Sequence, residues 1–115
     1  MSSTLRTLVE AFARGPRALD EAAACFSEDA VYREPHKPAV HGRAAIALHF
    51  AAYAAAPVAW RFLLDEVIED GARACVVYRF AVREGEEAAW SERGGCAIVR
   101  VDERGQIALW REYEG

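Results

Sequence analysis

The chain has 115 residues, 53% hydrophobic and 28% charged, with a net charge of −4. That composition is globular rather than disordered, and the length suits one core and is too short for two. Arginines scattered among carboxylates leave no basic stripe, which argues against nucleic acid as a partner, and no apolar run approaches the ~20 residues of a membrane span.

The elements follow in chain order. Leu5, Leu8, Val9 and Phe12 recur at i, i+3, i+4 and i+7, so the spacing predicts an amphipathic helix capped by Ser2 or Ser3 and closed at Gly15. Pro16 opens a second helix, with Leu19, Ala22, Ala23 and Phe26 on one face. "DAVYREP" is a short strand ended by Pro35, and residues 36–42 form a loop. A third helix starts near Gly42, carries Ile46, His49, Phe50 and Tyr53 on one face, and has stopped by Pro57.

From Val58 the chain reads as four strands in a meander: "VAWRFLLDEVIED", "ARACVVYRFAVRE", "EAAWSERGGCAIVRV" and "QIALWREY". A two-residue Asp70-Gly71 turn pairs Phe62 with Arg79 and Trp60 with Ala81. Trp60, Phe62, Leu64, Val77 and Arg79 then share one face, and Leu63, Val76, Tyr78, Phe80 and Val82 the other. In the last strand Trp110 and Glu112 share a face, with Ala97 opposite Trp110 and Gly95 opposite Glu112. Gly94-Gly95 is a candidate bulge, and the reading leaves open whether Glu92 or Arg93 points inward. Both sheet faces are largely apolar. Three helices can cover one, and a second copy of the chain is the economical cover for the other.

Thirteen arginines against one lysine, with abundant alanine, point to a GC-rich bacterial genome. "MSSTLRTLVEAF" has no apolar segment before a small-residue cleavage site, so no signal peptide is expected. Cys25, Cys75 and Cys96 are odd in number and far apart, and are read as reduced, buried core thiols in a cytoplasmic protein. His36, Glu34 and His41 lie together but without ligand spacing, so neither metal nor cofactor is expected.

"CFSEDAVYREP…VHGRAAIALHF" and "GQIALWREYEG" resemble the recurring blocks of the nuclear transport factor 2-like superfamily, and with the element order they span nearly the whole chain. The resemblance implies one domain, residues 1–115, with the cystatin-like α+β roll. Three N-terminal helices would pack on a strongly curved, mostly antiparallel sheet enclosing a cone-shaped pocket.

Two enzyme families of that superfamily can be compared residue by residue. Glu34, just before Pro35, occupies the place of the ketosteroid isomerase base. The oxyanion donors of that enzyme, a tyrosine and a protonated aspartic acid, fall near Leu8 and Ala97 here and are missing. In limonene-1,2-epoxide hydrolase the water-activating aspartate corresponds to Glu112, its arginine to Arg79 and its tyrosine to Tyr32. Its asparagine falls near Glu34, and its proton-donating aspartate falls at Ala81. The chain looks most like the broad group of SnoaL-like polyketide cyclases and their bacterial relatives.

The expected ligand is a small apolar molecule walled by Trp60, Phe62, Trp110, His49, Phe50 and Tyr53. Two readings of the site stand. In one, Glu112 is a general base oriented by Arg79, with Tyr32 and Glu34 as secondary donors or acids, for epoxide opening, an aldol-type step or an isomerisation. In the other, the domain only binds a ligand or dimerises, and Glu112–Arg79 is a satisfied ion pair.

Overall fold

The computed structural model describes residues 1–115. Its elements are α1 (Ser3–Arg14), a 3₁₀ turn at Pro16–Ala18, α2 (Leu19–Ala24), β1 (Phe26–Arg33), β2 (Val40–His41), α3 (Arg43–Ala55), β3 (Ala59–Asp70), β4 (Arg73–Arg83), β5 (Ser91–Val101) and β6 (Ile107–Glu114). This is an α+β fold in which three helices pack on a six-stranded mixed sheet, order β2-β1-β6-β5-β4-β3, that does not close. No helix is long and apolar enough to cross a membrane.

The helix caps follow the sequence. Ser2 Oγ accepts the Leu5 amide at 3.0 Å and satisfies a first-turn donor that would otherwise be orphaned. α1 buries Leu5, Leu8, Val9, Ala11 and Phe12. Gly42 caps α3 at φ +90, and its amide reaches Ala30 O at 2.7 Å. A Cβ there would also meet the Glu28 carbonyl at 3.3 Å, so both backbone conformation and space favour glycine.

The second helix ends earlier than its apolar spacing suggests. Cys25 terminates α2, and Phe26 already belongs to β1. β1 runs parallel to β6, pairing Tyr32 with Trp110, and is edged by the antiparallel β2 inside the expected loop. The parallel pair makes the sheet mixed and places β1 beside the end of the chain.

The largest departure is in the β3–β4 hairpin. Asp70 pairs with Arg73, so the turn residues are Gly71-Ala72 rather than Asp70-Gly71. That two-residue slip preserves faces. A bulge at Asp65, between Leu64 and Glu66, then adds one residue to β3 and inverts the phase beyond it. Phe62 consequently faces Phe80, Trp60 faces Val82, and Leu63 faces Arg79. Trp60, Phe62, Tyr78, Phe80 and Val82 all line the inner side, while Arg79 lies on the outer face.

The β4–β5 ladder runs without a break from Arg73↔Arg100 to Val82↔Ser91, so Gly94-Gly95 is not a bulge. Gly95 serves a close approach instead. A Cβ on it would stand 2.7 Å from the Tyr113 carbonyl oxygen and 3.5 Å from the Tyr78 hydroxyl. In β6 the register is Ala97↔Glu112 and Val99↔Trp110. This is two residues from the expected pairing and keeps Trp110 and Glu112 on the inner face. The turn before β6 is longer than a four-residue count allows, because Asp102 Oδ1 accepts the amides of Arg104 and Gln106, both at 2.9 Å.

The core lies between the helices and the inner face, around Leu5, Leu8, Phe26, Ile46, Val99 and Trp110. Of the three cysteines only Cys25 is buried. Cys75 and Cys96 are half-exposed on the outer face, correcting the expectation of three core thiols.

Gly95→Ala should lower stability by about 1–3 kcal/mol, because the Tyr113 backbone cannot yield as a side chain would. Urea unfolding of the variant checks this, and an unchanged midpoint contradicts the close approach.

Candidate active site

The helices and the inner face of the sheet enclose an aromatic cavity of about 350 Å³. Of the residues expected there, Glu112, Tyr32, Glu34, Phe50, Tyr53, Trp60 and Phe62 line it. Trp110 and His49 stand one layer behind, each bonded to a lining carboxyl. Trp110 Nε1 donates to Glu112 Oε2 at 2.9 Å, and His49 Nε2 lies 3.1 Å from Glu34 Oε1.

Arg79 is not in the site. Its guanidinium binds Asp65 at 3.1 Å and Glu92 at 3.4 Å on the outer face. The bulged Asp65 thus holds the side chain that the bulge turned outward. Ala81, the position expected for a proton donor, shares that outward phase. Leu8 and Ala97, the positions of the isomerase donors, are fully buried apolar residues. The question of Glu92 against Arg93 is also resolved. Glu92 is bound to Arg79, while Arg93 lines the cavity mouth and pairs with Glu114 at 3.2 Å.

The sequence reading missed Tyr78 and Phe80 as walls, together with Lys37 at the mouth. Asp65, which interrupts the apolar run "RFLLDEVI", is the one local signal of the bulge that brings Tyr78 and Phe80 inward. Stacked pairs fix the β3–β4 wall: Phe62 on Tyr78 at 4.9 Å and Trp60 on Phe80 at 5.7 Å between ring centroids.

Glu112 is the electrostatic centre of the cavity. It takes part in no ion pair; Trp110 donates it a hydrogen bond, and the Tyr78 hydroxyl faces it. Burial pushes its carboxyl up to about 7; the Trp110 bond opposes this, the charge of Glu34 adds to it, and the facing Tyr78 hydroxyl and Lys37 hold it down slightly. Three tyrosines feel the same surroundings. Tyr32, Tyr78 and Tyr53 are all raised, first by burial, then by the Glu112 charge for Tyr32 and Tyr78 and by Glu34 for Tyr53. Their hydroxyls therefore remain protonated hydrogen-bond donors.

Glu34 is 9% exposed. Besides His49 it meets Lys37 Nζ at 3.5 Å. His36, left-handed at φ 63, turns away to Glu114 at 3.1 Å. No cluster of three His, Cys, Asp or Glu side chains suited to a metal ion is present.

The site offers a carboxyl balanced near neutrality, neutral hydroxyl donors around it, and an apolar volume beside it. Similarity to known proteins agrees in fold. The profile described as SnoaL-like domain matches residues 5–110. An LEH-like epoxide hydrolase of Mycobacterium tuberculosis superposes with a TM-score of 0.80 at 19% identity, over 99% of this chain and 77% of that one. A second Mycobacterium tuberculosis protein, solved in complex with estradiol-17beta-hemisuccinate, gives 0.78 at 14% identity, over 96% and 89%. The epoxide hydrolase/cyclase-like enzyme SalBIII, of pyran ring formation in the polyether salinomycin, gives 0.72 at 20%, over 100% and 95%. No curated protein sequence matches the chain.

Two outcomes follow from the geometry. Between the ordinary glutamate range near ~4.3 and about 7, the folded chain holds a proton that the unfolded chain has released. Stability must therefore fall as pH rises through that window, by up to about 4 kcal/mol, with the loss complete above the folded value. Glu112→Gln removes this slope, so urea unfolding at pH 5 and pH 8 should show wild type losing stability relative to the variant. Parallel pH dependences contradict it. Arg79→Ala, by contrast, should leave the titration of Glu112 unmoved by carboxyl NMR, whereas a shifted midpoint would return Arg79 to the site.

Proposed function

The chain belongs to the SnoaL-like domain family, and from that premise we propose that it is an acid–base enzyme acting on a small, largely apolar molecule, with Glu112 as the proton-transfer group. The observation that carries this is Glu112 itself, a carboxyl without a countercharge beside open aromatic volume. A carboxyl kept for structure alone needs a partner. The partner expected for it, Arg79, is engaged elsewhere.

Proton transfer beside a carbonyl suits these residues best. Ionised Glu112 takes the proton from the carbon, the C–H electron pair moves toward the carbonyl oxygen, and the hydroxyls of Tyr32 and Tyr78 donate hydrogen bonds to the charge that develops there. The proton returns at another carbon in an isomerisation; in an aldol-type step the enolate carbon attacks a second carbonyl, and the alkoxide formed takes the proton back from Glu112. Opening an epoxide needs a separate acid as well, and Glu34, held by Lys37 and His49, suits that role less well. The outer sheet face carries half-exposed Leu63, Val77 and Ile98 with no helix over them, which supports a homodimer through that face.

Deuterium exchange from D₂O into small cyclic ketones, followed by NMR, tests the chemistry. The accelerated rate should rise with pH through about 7 as Glu112 ionises, and fall by about 100-fold or more in Glu112→Gln. Equal rates in the two proteins would leave a binding module instead. Light scattering tests the assembly, with twice the chain mass expected and the monomer mass at high micromolar concentration contradicting it.

A further inference from the structure

Three carboxyls line the cavity: Glu112 and Glu34 in its walls, and Glu114 at its mouth, where Arg93 and His36 engage it. Glu112 on β6 meets no cation, while Glu34, at the end of β1, meets His49 on its far side and Lys37 at the rim. The Lys37 side chain is 59% exposed, yet its ammonium lies 3.5 Å from Glu34 Oε1. The chain's own cation is thus drawn to the edge of the carboxyl pair. The remaining walls are mostly aromatic rings, and their faces attract cations.

We propose that the occupant is a small apolar molecule carrying a cationic nitrogen, seated between the Glu112 and Glu34 carboxyls with its apolar body against Trp60, Phe62 and Phe80. This rests on the reading of the cavity as the substrate site and names the substrate's class. Charge complementarity and chemistry then coincide. A cation beside Glu112 favours its ionised form, which is the form that accepts a proton, and a protonated Glu112 releases its proton to solvent as the cation binds. An ammonium group also acidifies the C–H bonds of neighbouring carbons.

The other groups facing the pair are consistent with this. Glu112 is faced by Tyr32 from β1, Tyr78 from β4, Trp110 on its own strand and Lys37 from the loop after β1. Glu34 is faced by His49 and Tyr53 from α3. Arg93, the cation contributed by β5, is held at the mouth by Glu114.

Calorimetric titrations with tetramethylammonium, cyclohexylammonium and benzylammonium, each against a neutral counterpart (tert-butanol, cyclohexanol, benzyl alcohol), test the proposal at pH 6 and pH 8. At pH 8 at least one ammonium should bind on the order of 10-fold more tightly than its counterpart. The advantage should shrink at pH 6, where Glu112 is mostly protonated. Glu112→Gln should remove most of the advantage while still binding the alcohol, which shows that the variant is folded, and Glu34→Gln should reduce it. Alcohols binding as tightly as ammoniums at pH 8, a ratio unchanged in Glu112→Gln, or no ammonium binding at millimolar concentration would each overturn the proposal. Ketone exchange without ammonium preference removes only the cationic class, whereas ammonium preference without Glu112-dependent exchange removes the enzyme reading and keeps the site.

Discussion

One carboxyl held in an aromatic cavity without a countercharge is the constraint around which the rest of the site is arranged. Glu112 is kept there by its own strand. Trp110, two residues earlier, projects to the same face, is fully buried, and donates its indole N–H to the carboxyl. β6 runs between β1 and β5, so its backbone is paired on both sides and the carboxyl is borne on a rigid element. Burial lifts the carboxyl toward neutrality, and the same burial, with its charge, keeps the surrounding tyrosines protonated. A carboxyl near neutrality and protonated hydroxyls around it therefore arise from one desolvated environment.

The two sheet faces differ in how their charges are paired. Asp65, Arg79 and Glu92 neutralise one another on the outer face, where solvent screening makes such pairs weak contributors to stability. The inner face keeps its carboxyls apart from those guanidinium groups. Glu34 has its own supports in His49 and Lys37, and Arg93 is drawn off by Glu114. What remains free of ion pairing inside is Glu112.

Much of the fold was legible in the sequence because its signals are local. The apolar spacing of α1 and α3, the punctuation at Gly15, Gly42 and Pro57, and the alternation that puts Trp110 and Glu112 on one face depend only on residues near one another. The face of Glu112 survived a two-residue error in register, since an even slip leaves every side chain on its own side. Arg79 did not survive, because one bulged residue, Asp65, is an odd shift and exchanges the faces beyond it. A single aspartate within an apolar strand marks that bulge no more clearly than it marks a solvated edge. Tyr78 and Phe80 were assigned to the wrong face for the same reason. The parallel pairing of β1 with β6 joins segments more than seventy residues apart, a contact that no local pattern reports.

The resemblance to limonene-1,2-epoxide hydrolase brought only part of its set to the cavity. Tyr32 and Glu112 lie in the cavity, whereas Arg79 and Ala81 lie on the other side of the sheet. A different set, Glu112 with tyrosine hydroxyls and Glu34, occupies the volume. The most direct test of this account is a ¹³C NMR pH titration of the Glu112 carboxyl, assigned by comparison with Glu112→Gln. The account predicts a midpoint at about 7. A midpoint in the ordinary glutamate range near ~4.3 would mean that the carboxyl is solvated or paired, and would contradict it.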